Sequence, residues 1–292
     1  MDVFIQILIT GATLGAMYAL ASVGLSLIFG TLGMFNMAHG LFMTLGAYAA
    51  YSAASALHLP LVLGFVVAMA AGGLIGVLTH LLIVRFMLGT PDFGMNIMVA
   101  TAGLAIILQD LILKTYGGYP YPQPVRVDGF TQLGGVTITF QALVNVAVAL
   151  ALILGTAWLL MKTRFGRAIR ATAMNREAAM LMGVKADTVF LQVMALAGML
   201  AGVAGLMIST QATLSPQMGA DPLLKAFVIC VVAGLGNVWG AGVCAFGLAL
   251  LESAIGYYFG MRFGFPTMLM LVIVILILRP QGLFGREKVV RL

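Results

Sequence analysis

Charge is what this chain has least of. Only 8% of its 292 residues are charged, against roughly 25% in a soluble domain, while 62% are hydrophobic. With a mean hydropathy of +1.10, that balance excludes an ordinary water-soluble globule. Cysteine is nearly missing too. Cys230 and Cys244 both lie in apolar runs with no metal-ligand spacing and no companion histidines, so neither a disulfide framework nor a zinc site is indicated and packing is the expected role. His39, His58 and His80 are scattered, neither H-E-x-x-H nor G-x-S-x-G occurs, and no lysine completes a G-x-x-x-x-G-K-[ST] phosphate loop. The chain is therefore expected to bind no nucleotide, cofactor or metal and to catalyse nothing itself. An intramembrane enzyme is disfavoured because no nucleophile and base recur at helical spacing. A basic leader is absent as well: the sequence opens Met1-Asp2-Val3 and stays largely apolar to Phe29, which reads as a first span rather than a signal peptide.

What is there is hydrocarbon. A span needs about 20 apolar residues to cross roughly 30 Å, so the chain is read as one all-α transmembrane domain over residues 1–292, a polytopic bundle of about eight to ten spans. Candidates are Val3 to Phe29, Ala38 to Leu57, Leu61 to Val84, Met95 to Leu113, Phe140 to Met161, Val189 to Gln211, a pair flanking Gly236-Asn237-Val238-Trp239-Gly240, and Phe265 to Leu278. The member of that pair before Gly236 is short enough to be a half-helix or re-entrant piece. Among the 36 glycines, Gly11/Gly15, Gly72/Gly76, Gly198/Gly202 and Gly236/Gly240 have the spacing that lets membrane helices approach closely.

The net charge of +6 fits basic loops on the cytoplasmic side of a membrane better than nucleic-acid binding. Lys162, Arg164, Arg167, Arg170, Arg176 and Lys185 cluster in the loop at about 162–188, and Arg279, Arg286, Lys288 and Arg291 at the C-terminus. Both groups belong in the cytoplasm. The segment of about 114–139, rich in Gly, Pro and Tyr, belongs outside. An external N-terminus and a cytoplasmic C-terminus satisfy every placement. The outer segment, with Tyr116, Tyr119, Tyr121, Pro120, Pro122 and Pro124, is either a docking surface or a proline-stiffened loop.

Ionisable groups at membrane depth are functional by default. Asp110 and Lys225 fall near expected span ends, where snorkelling is cheap, and Glu252 sits well inside a run. Glu252 either serves transport or is hydrogen-bonded within the bundle; an ion- or proton-coupled carrier would use it or Asp110. Asn36 and His39, near the break between the first two spans, either satisfy freed backbone groups or line a pathway, and Gly236 and Asn237 mark a second break. In the basic loop, Asn175 is a plausible N-cap and Gly183 a C-terminal stop for a short helix carrying Glu177, Ala178, Ala179, Met180, Leu181 and Met182. Such a segment either lies on anionic lipid through its arginines or inserts apolar side chains into a partner.

The string Glu177-Ala178-Ala179-x-x-x-Gly183 resembles the coupling-loop signature of bacterial ABC importer permeases. Phe165-Gly166-Arg167-Ala168-Ile169-Arg170-Ala171 and Met182-Gly183-Val184 around it are similar to the extended form in branched-chain amino-acid permeases. Gly33-Met34-Phe35-Asn36-Met37-Ala38-His39-Gly40 resembles that family's G-x-x-N-x-A-H-G. Gly234 to Ala241 resembles its G-G-x-G-x-x-x-G-A, with Ala233 where a glycine is frequent, and Arg279 to Gly285 its R-P-x-G-L-F-G. The resemblance, in order over nearly the whole chain, is to the LivH-type permeases of branched-chain amino-acid ABC transporters. It implies a bacterial inner-membrane permease subunit paired with a second related permease, two cytoplasmic ATPase subunits that bind ATP-Mg, and an extracytoplasmic substrate-binding protein. It implies branched-chain or other hydrophobic amino acids as substrate, with urea or short amides as the alternative carried by close relatives. Arg167, Arg170, Glu177, Ala178, Ala179 and Gly183 would then couple to the ATPase.

Overall fold

The computed structural model describes residues 2–57, 60–133 and 136–285. His58 and the C-terminal Arg286, Glu287, Lys288 and Arg291 lie outside them. Every expected span is a helix, usually extended by a few residues: α1 (Asp2–Leu32), α2 (His39–Leu57), α3 (Leu61–Thr79) prolonged by a π-helical turn (His80–Val84) into the short α4 (Arg85–Met87), and α5 (Phe93–Tyr116). After a two-stranded hairpin come α6 (Phe140–Lys162), α7 (Arg164–Met174), α8 (Arg176–Leu181), α9 (Ala186–Gln211), α10 (Ala220–Ala233), α11 (Val238–Tyr258) and α12 (Gly264–Leu278). Among the described residues, seven helices are long and apolar enough to cross a membrane. The other two expected spans are α2, diluted by Tyr, Ser and Thr, and α10, whose 14 residues rise only about 21 Å, short of the roughly 30 Å of hydrocarbon. Local chemistry sets several starts: Thr139, Thr163, Asn175 and Asn237 each accept a backbone N–H at the head of α6, α7, α8 and α11.

The bundle is organised around α9, of whose most apolar stretch 72% is buried, against 11% for α12 at the periphery. A helix apolar on all sides belongs in such a centre. Backbones touch there. A Cβ at Gly72 or Gly76 would collide with the carbonyls of Gly198 and Met194, one at Gly202 with the carbonyl of Ala68, and one at Gly205 with that of Met43. Glycine thus lets α3 and α2 lie directly on α9, where interhelical packing rather than water exclusion holds helices together. Gly11 and Gly15 do the same for α1 against Leu250 and Phe246 of α11. The Gly236/Gly240 pair departs from the expectation: Gly236 lies in the turn before α11 at φ +86° with its backbone on Gly30, and Gly240 faces Phe284.

The segment after α5 also differs from a plain surface loop. Phe130–Leu133 pairs antiparallel with Val136–Thr139, with Phe130 opposite Thr139, and the alternation in Val136-Thr137-Ile138-Thr139 buries Val136 and Ile138. Upstream, Tyr121 and Leu214 exchange two backbone hydrogen bonds of 2.9 Å, and buried Gln123 donates to Ala47 O and Ser209 Oγ. Tyr116 and Tyr121 pack with Tyr48 and Tyr51, so the tyrosines mostly turn inward and Tyr119 remains exposed.

Replacing Gly202 by Leu should cost about 3 kcal/mol or more by overpacking and abolish a monodisperse detergent-solubilised peak. Gly103→Ala, where a Cβ meets nothing within 4 Å, should melt like the parent in the same size-exclusion thermal assay.

Candidate functional site

The basic segment between α6 and α9 is built from two capped helices. Thr163 Oγ1 accepts Gly166 N at 3.1 Å and starts α7, which buries Gly166, Ile169 and Thr172. Arg170 Nη1 turns back to donate to the Leu160 carbonyl at the end of α6, where a cation complements the helix C-terminus; Arg167 stays exposed. Asn175 Oδ1 accepts Ala178 N at 3.0 Å, and α8 follows with Glu177 in its first turn. Gly183, at φ +84°, closes α8: its N–H reaches Met180 O and that of Val184 reaches Ala179 O, both at 3.0 Å. This paired arrangement is the Schellman motif, which favours glycine at its left-handed position.

The consequence is a rigid knob. Ala179 is buried while Glu177 and Ala178 are exposed, and Met174, Leu181 and Met182 are 88%, 88% and 86% exposed, a cluster of uncovered apolar side chains on the most basic segment of the chain. The knob is anchored to α9: the Arg176 guanidinium lies 5.2 Å from the Phe190 ring centroid, a cation–π distance. In the first turn of α9, Asp187 Oδ1 meets Nε2 of fully buried His80 at 3.0 Å. His80 opens the π-helical turn, a rare feature that often marks a functional position.

Two breaks meet at the C-terminal end of α1. In the first, Asn36 Oδ1 accepts Ala38 N at 3.0 Å and Thr101 Oγ1 accepts Met37 N at 3.1 Å, so side chains take up backbone donors that a helix would have used. His39 Nε2 lies 3.1 Å from Ala21 O and must donate, since a carbonyl only accepts. Both Asn36 and His39 are buried. In the second, Asn237 Oδ1 caps α11 through Gly240 N at 2.9 Å while its Nδ2 donates to Phe284 O at 2.9 Å. Leu283 N and Phe284 N donate to Val232 O and Ala233 O at the end of α10. The Gly234–Ala241 and Arg279–Gly285 motifs, distant in sequence, are thereby one structural unit, and Gly236 rests on Gly30 of α1.

Near the opposite end, Glu252 of α11 is paired rather than alone. Lys225 Nζ of α10 donates to Glu252 Oε1 at 2.7 Å and to Tyr18 OH of α1 at 2.8 Å, with Asp221 at 3.4 Å. The Lys225 and Glu252 side chains are only 10% and 14% exposed, so Lys225 does not snorkel as expected from its position near a span end. It ties α1, α10 and α11 together. Asp110 instead makes an exposed ion pair with Lys114 at 2.7 Å. Sequence reading missed the Lys225–Glu252 and His80–Asp187 pairs because each joins residues of different helices. The sole local hint was an ionisable residue in each apolar run.

The family model described as branched-chain amino acid transport system / permease component matches residues 7–278. The chain is similar to the high-affinity branched-chain amino acid transport system permease protein LivH of Escherichia coli (strain K12), with 27% identity over 98% of this chain and 97% of that protein. It is 26% identical to BraD, the corresponding permease protein of Pseudomonas aeruginosa, over 98% and 97% of the two chains. A probable LivH permease of Methanocaldococcus jannaschii is 28% identical over 91% of this chain and 88% of that one. No solved structure matches.

Loss of the cap in Asn175→Ala should cost about 1 kcal/mol and raise amide exchange across residues 176–182 about fivefold, read by hydrogen–deuterium exchange. Lys225→Met should destabilise the bundle by about 3 kcal/mol because it strands a carboxylate. The double variant Lys225→Met/Glu252→Gln should recover most of that loss in thermal melts.

Proposed function

The chain belongs to the branched-chain amino acid transport permease family, and from that premise we propose that it is the membrane subunit of an ABC importer for branched-chain or other aliphatic amino acids. ATP-Mg is bound and hydrolysed by two partner ATPase subunits. A second related permease completes the pathway, and an extracytoplasmic binding protein delivers substrate. The basic segment faces the cytoplasm of a bacterial inner membrane, with the N-terminus outside and the C-terminus inside, which agrees with the clustering of Lys and Arg there.

The observation that carries this reading is the exposed apolar knob on α7 and α8. Met174, Leu181 and Met182 project from two capped helices, as side chains would that fill a groove on an ATPase. In the expected mechanism, nucleotide brings the ATPase subunits together and they carry α8 with them. The Gly183 turn, the Arg176–Phe190 contact and the His80–Asp187 pair pass that displacement to α9 and α3. Where backbones touch, side-chain rearrangement cannot absorb a shift, so α2, α3 and α9 move together. Nucleotide drives transport only through its differential affinity for the two access states. Arg167 remains available to the ATPase or to lipid headgroups, whereas Arg170 is held on α6. Exposed Tyr119, upstream of the hairpin, is the part of the outer segment open to a binding protein.

Leu181→Glu/Met182→Glu places two carboxylates on exposed positions, so folding should be retained. The test is co-purification from membranes in mild detergent together with ATP-driven leucine uptake after reconstitution. Wild type should bring down an ATPase pair and a second permease, while the variant should lose about tenfold or more of the ATPase, as for loss of an interface hot spot. Unchanged recovery and uptake in the variant would remove the knob from the coupling path. Gly183→Val, strained at a left-handed position, should lower uptake while leaving membrane insertion intact.

A further inference from the structure

At the end of the bundle away from the basic segment, α1 and α11 leave a cavity of about 240 Å³ between them. Its wall is chemically divided: Gln6 and Thr10 offer an amide and a hydroxyl, Ile7, Leu14 and Met261 offer aliphatic surface, and Glu252 stands at its edge. Gln6 and Thr10 are exposed on a helix apolar enough to span a membrane. Polar groups on such a helix face a water-filled cavity or protein in preference to lipid.

Glu252 supplies the second observation. Its Oε1 is held by Lys225, but its Oε2 is buried without a hydrogen-bond partner. Lys225 already donates to Glu252 Oε1 and Tyr18 OH, and its ammonium lies 3.4 Å from Asp221 Oδ2, so its donors are drawn away from Oε2. The group of Lys225, Glu252 and Asp221 carries one positive and two negative charges, an excess of one negative. A buried carboxylate oxygen without a donor is costly, and a cationic donor is the strongest remedy. A hard metal ion favours several carboxylates, and among the described residues no group of three His, Cys, Asp or Glu side chains gathers to hold one.

The geometry points to a substrate site in this cavity: the α-ammonium of an aliphatic amino acid donates to Glu252 Oε2, its side chain lies on Ile7, Leu14 and Met261, and its carboxylate accepts from Gln6 and Thr10. This inference rests on the importer reading above and assigns that substrate a contact on this chain. Glu252 is then a binding residue, and Lys225 a positioning residue that holds Oε1 and leaves Oε2 as the oxygen still without a donor.

The test is photolabelling of the assembled importer in proteoliposomes with leucine carrying a diazirine in its side chain, followed by peptide mass spectrometry. Label is expected on the peptides holding Ile7, Leu14 and Met261, displaced by excess leucine. The diazirine acid lacking the amino group should not label them. Glu252→Gln should reduce labelling about tenfold or more, the scale of one charge-assisted hydrogen bond. Lys225→Met/Glu252→Gln, which leaves no unpaired buried charge because Asp221 is exposed, and Thr10→Phe, which fills the cavity from an exposed position, should do the same in complexes of normal size. Leucine uptake by wild type with label elsewhere, or labelling of these peptides unaffected in all three variants, overturns this site alone. Absence of leucine uptake by the wild-type complex overturns the importer reading and this site with it.

Discussion

Backbone contact between helices is the constraint on which the rest of the structure depends. Hydrocarbon provides no hydrophobic drive for apolar helices to associate, so close packing must do it. Glycine at positions 46, 72, 76, 198, 202 and 205 brings α2 and α3 onto α9 at backbone distance. That contact makes α9 the axle of the bundle, and α9 is also the helix that emerges directly from the α8 knob. A push on the knob therefore arrives at the most densely packed part of the molecule.

The same solvent explains the polar exceptions. An interruption of a helix frees backbone groups that lipid cannot satisfy, and at two breaks these are answered by a side chain or a second strand of chain. Asn36 and Thr101 serve the first break; Asn237 and the Leu283–Phe284 backbone serve the second. The tie of Lys225 to Tyr18 and Glu252 then fixes short α10 to both long neighbours. Structural and transport roles need not compete at Glu252, since one oxygen holds the lysine while the other is left unpaired.

Much of this was legible in the sequence because its signals are local. Length and hydropathy located the spans, and Asn175 and Gly183 marked the ends of α8, since caps depend on one residue and its immediate neighbours. Spacing was less informative where the backbone bends: Gly236/Gly240 has the pattern of a packing stripe, yet positive φ at Gly236 puts it in a turn. Pairs such as His80–Asp187 and Lys225–Glu252 depend on how helices are set beside one another, which no local signal encodes. The hairpin and the inward-turned tyrosines were hidden by a composition that reads only as loop. Family resemblance pointed to Gly234–Ala241 and Arg279–Gly285 separately, and only the fold shows why both belong: one closes the end of α10 against the other.

On the proposed coupling, α8 and α9 move as one body whose C-terminal end shifts against α11. Pulsed electron paramagnetic resonance on the reconstituted complex tests it, with spin labels at Met180 and Thr188 in one sample and at Gln211 and Tyr257 in another; Cys230 and Cys244 are buried. Addition of ATP under non-hydrolysing conditions should leave the first distance unchanged and alter the second. A change in the first distance with the second constant would contradict the account, because the knob would then move without carrying α9.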